Sequence, residues 1–348
     1  MEFLKSLGKI PAGAELEKVK LSANFQNGGF KNLSPTEMMA KEASYVEIMW
    51  HFINKPSNCF PPSPLPSVRT DLKNIESDRP VIVWFGHSSY LIHINQKNIL
   101  VDPVFCGHAS PFSFTAKSFP GTDAYTVDDM PEIDVLLLTH DHYDHLDHET
   151  VVKLQHKTKH ICTSLGVASH LVYWGLDKNT ITEFDWWDSQ SFGDDLTITA
   201  VPARHFSGRS FTRNKTLWSS FILQTAGHNI YAGGDSGYDT HFKNIGEKFG
   251  PFEIAILECG QYNTAWPYIH MMPEQTVHAA IDLNAGVLLP VHWSKFSLSL
   301  HPWAEPIARV TAKAKELNMP IATPLIGEPV IIGEPLPTEK WWEGVVKS

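Results

Sequence analysis

The chain has 348 residues, 43% hydrophobic and 19% charged, the balance of an ordinary globular protein long enough to bury a sizeable core. Its formal charge of −10 at neutral pH argues against a nucleic-acid enzyme, which needs a basic track for phosphates, so no nucleic-acid partner is expected. The same charge argues, less strongly, against fixed docking on an anionic membrane. The four cysteines, Cys59, Cys106, Cys162 and Cys259, are scattered and form no C-x-x-C pair, which points to free thiols in a reducing compartment. Met1 to Lys5 show no apolar leader, and no run approaches the roughly 18 apolar residues of a membrane span, so a cytoplasmic protein is expected.

Residues 1–28 carry no strong pattern and read as an arm packed on the surface. Ser34-Pro35-Thr36-Glu37 has the form of a capping box with proline at the first helical position, and Met39, Ala43, Val46, Trp50 and Ile53 follow at helical spacing. The expectation is one helix whose apolar stripe packs on the main body; a lipid-facing or dimer-facing stripe has the same pattern. Pro56 ends it, and Pro61, Pro62, Pro64 and Pro66 make a stiff connector. That places the boundary between an N-terminal extension (1–77) and the main domain (78–348) near Ser77.

From Val81 the pattern turns to β, with strands expected at 81–85, 90–94 and 99–101, the last two joined by a polar turn. The apolar run 135–138 reads as a buried strand. It runs into Thr139-His140-Asp141-His142-Tyr143-Asp144-His145-Leu146-Asp147, a dense cluster of imidazoles and carboxylates. In extended chain, side chains two apart share a side, so His140 and His142 can grip one metal ion while Asp144 and His145 turn towards a second. Imidazole and carboxylate suit zinc and similar divalent ions.

A helix at 149–156, a strand at 161–163 and a helix at 167–174 follow, and Asp185-Trp186-Trp187-Asp188 reads as a corner between strands. Strand 196–201 delivers Pro202-Ala203-Arg204-His205. Arg209 and Arg213 lie in the polar loop beyond, where an arginine reaching the site could hold a phosphate through its fork of donors. Strands at 218–224 and 229–232 lead to Gly233-Gly234-Asp235-Ser236-Gly237. This is either a tight turn whose glycines supply positive φ, or an aspartate whose small neighbours let one carboxylate bridge two ions. A helix at 239–249 and a strand at 253–257 precede the aromatic loop from Glu258 and Tyr262 through Trp266 to His270. A helix at 273–283, a strand at 287–291 ending in His292-Trp293, and an amphipathic helix at 303–317 close the chain. No internal repeat is visible.

His140-x-His142-x-Asp144-His145 resembles the signature of the metallo-β-lactamase superfamily. Gly86-His87-Ser88-Ser89, Pro202-Ala203-Arg204-His205, Gly233-Gly234-Asp235-Ser236-Gly237-Tyr238, Phe249-Gly250-Pro251-Phe252 and Val291-His292-Trp293 narrow the likeness. From about Gly29 onward the chain resembles the N-acyl-phosphatidylethanolamine-hydrolysing phospholipase D branch. The resemblance implies an α/β (α+β) fold, a four-layer αββα sandwich carrying the N-terminal extension. It implies two divalent ions, zinc first with manganese or iron as alternatives. One is held by His140, His142 and His205 and the other by Asp144, His145 and His292, with Asp235 bridging. His87 and Asp102 support ligating groups from behind. Asp144, Asp235 and His270 are the implied catalytic groups, and Arg209, Tyr262, Trp266 and His270 the implied substrate contacts. Thr264-Ala265 stands before Trp266 where eukaryotic members of the branch carry an arginine.

The activity implied is metal-dependent hydrolysis of a phosphodiester, cleaving N-acyl-phosphatidylethanolamine to N-acylethanolamine and phosphatidic acid. The alternatives are a lactonase acting on a small sugar-phosphate-like ring, and a metal-binding protein with little catalysis. A phospholipid or small-molecule substrate, a homodimer, and a peripheral membrane contact through Phe112, Phe114, Phe119 or the Trp50 helix complete the expectation.

Overall fold

The computed structural model describes residues 2–193, 195–210, 212–225 and 227–346; Met1, where the reading of the N-terminus begins, lies outside the described residues. The N-terminal segment forms α1 (Glu2–Ser6), α2 (Ala14–Lys20), a small antiparallel pair of β1 (Phe25–Gln26) and β2 (Gly29–Phe30), and α3 (Tyr45–Ile53). It is anchored by Val19 and Phe30, buried against Leu165, Trp186, Leu217 and Trp218.

The helix expected from Pro35 begins only at Tyr45, capped by Ser44, whose side chain accepts from the Glu47 N–H. The residues before it are held by tertiary bonds instead. Arg204 donates to Thr36 Oγ1 and to the Pro35 carbonyl, and the Ala40 N–H donates to the Ala265 carbonyl. A backbone whose groups are committed elsewhere cannot also close helical turns. The stripe also does not pack inward: Val46, Met49, Trp50 and Ile53 are exposed.

The first half of the main body runs β3 (Val81–Trp84), β4 (Tyr90–Ile94), β5 (Lys97–Val101), β6 (Ile133–Leu138), α4 (His148–Leu154), β7 (Thr158–Ser164), α5 (Ala168–Tyr173) and β8 (Ile181–Phe184). The Asp185-Trp186-Trp187-Asp188 corner then crosses to the second half. That half runs β9 (Ser189–Phe192), β10 (Leu196–Pro202), β11 (Ser219–Thr225), β12 (His228–Ala232), α6 (His241–Phe249), β13 (Ile254–Glu258), α7 (Pro273–Asp282), β14 (Leu288–Val291) and α8 (Glu305–Glu316). A last strand, β15 (Pro329–Ile331), returns to pair with β3, and α9 (Trp341–Val346) ends the described chain.

One sheet has the order β15-β3-β4-β5-β6-β7-β8 and the other β14-β13-β12-β11-β10-β9. Each combines antiparallel hairpins with a parallel run: β5 to β8 in the first, β12 to β14 in the second. Alternation along β6 shows why its sequence is apolar throughout. Val135 and Leu137 enter the core between the sheets with Ile198, Phe221 and Ile256, whereas Leu136 and Leu138 face α4 and α5 through Val151, Leu154 and Leu171. A strand covered on both faces has no polar side, as expected for parallel strands beneath helices. The helices α6, α7 and α8 cover the second sheet through Phe242, Ile245, Val277, Ile307 and Val310. The result is four layers, helix–sheet–sheet–helix.

Asp102, His140, His205, Asp235 and His292 lie within three residues of the ends of β5, β6, β10, β12 and β14, and Glu258 is the last residue of β13. Open α/β sheets place ligand sites beyond the carboxyl ends of parallel strands for this reason: the rigid sheet ends there and the loops begin.

Truncating the fully buried Leu137 to alanine is expected to cost about 2–5 kcal/mol in denaturant unfolding, through lost transfer energy and the cavity left between the sheets. Val46→Ala, on the exposed face of α3, is expected to change stability by less than about 0.5 kcal/mol.

Candidate metal centre

The loop after β6 is fixed before any ligand is considered. The Thr139 carbonyl accepts from Ser164 Oγ at 2.6 Å and from the Ser219 N–H at 3.1 Å, tying the loop's start to both sheets. At its far end Asp147 caps α4, accepting from the Glu149 N–H at 3.0 Å, while its other oxygen takes the Phe105 and Cys106 N–H groups. Between these anchors His140, Asp141, Asp144 and His145 are buried.

Two groups of donors converge. His140 Nε2 and His205 Nε2 lie 3.0 and 3.2 Å from His142 Nδ1, and 3.9 and 3.7 Å from Asp235 Oδ2. Beside them, His145 Nε2 lies 3.2 Å from Asp235 Oδ2 and 3.5 Å from Asp144 Oδ2, and His292 Nδ1 lies 3.2 Å from Asp235 Oδ1. Asp235 thus faces both groups, one oxygen or the other within 4 Å of His140, His145, His205 and His292.

Hydrogen bonds behind the rings set which nitrogen is bare. His205 Nδ1 donates to the Ile269 carbonyl at 2.8 Å, and His145 Nδ1 donates to Asp102 Oδ2 at 2.7 Å. Thr139 Oγ1 donates to the same Asp102 oxygen at 2.6 Å and so accepts from His140 Nδ1 at 3.0 Å. The Nε2 lone pairs of His140 and His205 therefore both point at His142 Nδ1, which has at most one proton to offer. His145 Nε2 and Asp235 Oδ1, both buried, have no hydrogen-bond partner among the described residues. Facing imidazole nitrogens about 3 Å apart, as in His140, His142 and His205, are unfavourable alone and become favourable around a cation. The donor set, imidazole nitrogen with carboxylate oxygen, fits zinc, iron or manganese.

The electrostatics agree. Burial, reinforced by neighbouring imidazoles, holds His140 and His292 well below the usual imidazole range; burial does the same for His205 and lowers His142. These rings are neutral, the form that binds metal. Burial pushes against the charge on Asp235, yet His145 and His292 outweigh it and keep the carboxyl well below its usual range. His145 is opposed by burial but raised well above the ordinary imidazole value by Asp235, Asp144 and Asp102, so an incoming cation displaces a proton there.

His87 adds to the second group. Its Nε2 lies 2.9 Å from Asp144 Oδ2, within reach of the donors of Asp144, His145 and His292. The His87 and His292 loops are paired by the His292 N–H to the His87 carbonyl at 2.9 Å, and Ser88 Oγ lies 2.9 Å from His292 Nδ1. His87, Asp102 and His292 all have positive φ, at 52°, 40° and 67°. Strained backbone at three residues of one cluster is typical of functional sites. The glycines around Asp235 serve close approach rather than positive φ. A Cβ on Gly234 would lie 2.6 Å from the Ser219 carbonyl oxygen, and one on Gly237 only 1.9 Å from that of Tyr268.

The donors form the floor of a cavity of about 680 Å³ walled by Met38, Met39, Phe52, Phe206, Trp266, Ile269 and Leu298, with His270 and Arg213 also lining it. His270 Nδ1 is 2.7 Å from Glu258 Oε2, and its ring lies 4.9 Å from His205 and 5.2 Å from His292. Glu258 is buried and accepts from the Ser236 and Met271 N–H groups. Burial opposes charge on both members; Glu258 stands above the usual carboxyl range and its attraction keeps His270 above the usual imidazole range, so the pair retains a proton.

Two expected substrate contacts are elsewhere. Arg209 is buried behind the metal loop, its guanidinium bound to the carbonyls of Ser6, Asp141 and Leu146 and stacked on Tyr143. A guanidinium held by three backbone carbonyls behind the metal loop does not reach this cavity; Arg213, over the Phe206 ring, is the arginine that lines it. Tyr262 is buried, its hydroxyl donating to Glu305 and its ring stacked on His301. Phe119 is also buried, under Phe60, which removes it from any lipid-facing patch; Phe112 and Phe114 are exposed but line a different pocket. Sequence reasoning left Glu258 and Thr139 without roles. An acid at the end of an all-apolar strand was the available signal for Glu258; nothing local marks Thr139.

Residues 97–293 match the family described as the beta-lactamase superfamily domain. An uncharacterized protein of Mycobacterium tuberculosis is 37% identical over 351 aligned residues, covering 98% of this chain and 94% of that protein. N-acyl-phosphatidylethanolamine-hydrolyzing phospholipase D 1 of Caenorhabditis elegans is 30% identical over 227 residues, 62% of this chain and 64% of that relative. Among solved structures, Igni18, a metallo hydrolase from the archaeon Ignicoccus hospitalis, superposes with a TM-score of 0.58 at 19% identity, covering 74% of this chain and 99% of that one. At that identity the likeness is one of fold.

Asp102→Asn replaces an acceptor of three protons with a group that must present N–H to one of them. Metal affinity, measured by competition with a chromophoric chelator, is expected to fall about 10- to 100-fold with the fold retained. Unchanged affinity would remove Asp102 from the account.

Proposed function

The chain belongs to the beta-lactamase superfamily as a metal-dependent hydrolase, and on that premise we propose that it cleaves phosphodiesters at a dinuclear centre, with N-acylated phosphatidylethanolamine as the substrate class. The observation that supports this reading is the pair of adjoining imidazole and carboxylate donor groups, with Asp235 facing both, at the floor of an apolar cavity with an arginine on its wall. The C. elegans relative, named for that substrate, aligns with nearly two thirds of the chain and adds support.

In this reading His140, His142 and His205 would hold one ion and Asp144, His145 and His292 the other, with Asp235 available to both. Bound there, two divalent ions supply Lewis acidity and make a water nucleophilic at neutral pH. The chain's own groups do the rest. Arg213 pairs with the phosphate. Met38, Met39, Phe52, Phe206 and Trp266 take the acyl chain and exclude water from it. Attack on phosphorus breaks the bond to the N-acylethanolamine oxygen, and His270, whose proton Glu258 retains, protonates that oxygen as it leaves. Asp144 is the alternative donor expected from sequence, but its carboxyl is held well below the usual range because His145 and His87 outweigh its burial. That leaves it acceptor-only at neutral pH and favours His270.

The membrane contact belongs to the same proposal. Phe52 of α3 lines the cavity while Val46, Met49, Trp50 and Ile53 of the same helix are exposed. A lipid leaving a bilayer at α3 would pass from the exposed apolar side chains of that helix to Phe52 at the cavity. No helix among the described residues is long and apolar enough to cross a membrane.

The test is hydrolysis by metal-reconstituted protein of N-acyl-phosphatidylethanolamine vesicles and, in parallel, a panel of small lactones. Release of N-acylethanolamine and phosphatidic acid, abolished by Asp235→Asn, is the expected result. Lactone opening without lipid turnover would keep the metal centre and overturn the substrate. His270→Ala is expected to lower kcat by about 100-fold or more with metal content unchanged.

A further inference from the structure

Behind the metal loop, on the side away from the cavity, the N-terminal arm makes two lines of contact that both end at Asp141. In the first, the Lys9 N–H donates to His170 Nδ1 at 2.9 Å. That leaves the ring proton on Nε2, which donates to Asp141 Oδ2 at 3.2 Å. The Asp141 carboxylate also accepts from the Gly208 N–H at 2.7 Å and Thr216 Oγ1 at 2.9 Å. In the second, Arg209 Nε donates to the Ser6 carbonyl at 2.9 Å, and Nη1 reaches the Asp141 and Leu146 carbonyls at 2.8 and 2.6 Å. Its guanidinium lies 4.0 Å from the Tyr143 ring centre and 5.1 Å from that of Trp174, whose indole N–H donates to the Lys5 carbonyl at 2.7 Å. His170 and Arg209 are only 1% and 5% exposed, so water does not substitute for these partners.

We propose that residues 5–9 act as a brace whose docking sets the affinity of the metal centre, with His170 and Arg209 as the positioning residues that transmit it. The inference rests on the metal-site reading above and extends it to a segment over a hundred residues away in sequence. Asp141 stands between His140 and His142, the two histidines whose nitrogens are 3.0 Å apart. With the arm undocked, His170 loses the donor that fixes its tautomer, and Arg209 loses one of three carbonyls. The Asp141 carboxylate then has one less certain donor, and the backbone turn that aims both imidazoles is free to relax. A group that orients a ligand from behind typically contributes tenfold or more to metal affinity. The coupling is reciprocal, so bound metal must hold the arm as firmly as the arm holds the metal.

Gly8 gives a remote handle. It sits at φ +68° against His170, and a Cβ there would lie 2.1 Å from His170 Nδ1. Gly13 also has positive φ, +57°, and nothing within 4 Å of its Cβ position, so alanine there strains the backbone without the clash.

The experiment is titration of the full-length protein with Co²⁺, reading both affinity and the visible absorption bands, which report ligand geometry. Gly13→Ala is expected to match wild type. Gly8→Ala and His170→Ala are expected to bind about tenfold more weakly with altered bands. His170→Gln, whose amide can donate to Asp141, is expected to recover part of the loss, a rescue that a purely structural role for the side chain would not produce. Wild-type affinity and bands in both Gly8→Ala and His170→Ala overturn the brace. A wild-type protein that binds no Co²⁺ overturns the metal site itself, and the brace with it.

Discussion

The carboxylate of Asp102 is the constraint on which the rest of the centre depends. It is buried at the end of β5, in a left-handed backbone conformation, with the Thr139 N–H on one oxygen at 2.8 Å and Thr139 Oγ1 and His145 Nδ1 on the other. Burial pushes its carboxyl up, and these three donors work against that rise. Through them one acid fixes the tautomers of two histidines, one in each donor group. Remove it and the inward nitrogens of His140 and His145 are no longer aimed, whatever the sheets do.

The sheets decide where that acid can be. β5 and β6 are parallel neighbours, so Asp102 and Thr139 leave the sheet at the same edge and level. β12, β13 and β14 run parallel in the other sheet and bring Asp235, Glu258 and His292 to the facing edge. The two halves thus divide the work. The first supplies His140, His142, Asp144, His145 and their support, and the second supplies His205, Asp235, His292 and the Glu258–His270 pair. The extension closes the cavity with Met38, Met39 and Phe52 in front and holds the loop through Ser6 and Lys9 behind.

Much of this was legible in the sequence, and the reason is physical. A strand buried on both faces must be apolar throughout, so 135–138 announced both itself and the loop after it. The spacing H-x-H-x-D-H then has few uses other than metal binding. His205, Asp235 and His292 each follow a strand and were reachable once the resemblance was in view. What was not legible depends on contacts distant in sequence. The capping box at Ser34 is sound local grammar, overridden because Arg204 binds Pro35 and Thr36. Arg209 and Arg213 are alike in one loop; only the fold turns the first inward onto backbone carbonyls and leaves the second at the cavity. Tyr262 sits in an aromatic loop that suggests substrate, yet its hydroxyl is held by Glu305 and Arg309. His170, a single histidine in a short helix, carries no signal until Lys9 and Asp141 are seen on either side of it.

The central claim is that two cations share Asp235. Anomalous diffraction from crystals of the protein grown with zinc, collected on both sides of the zinc edge, tests it most directly. The account predicts two peaks, one among His140, His142, His205 and Asp235 and one among Asp144, His145, His292 and Asp235. A single peak, or a peak seated on Glu258 and His270, would contradict it, because the bridge would then join nothing and the proton held by His270 would be gone.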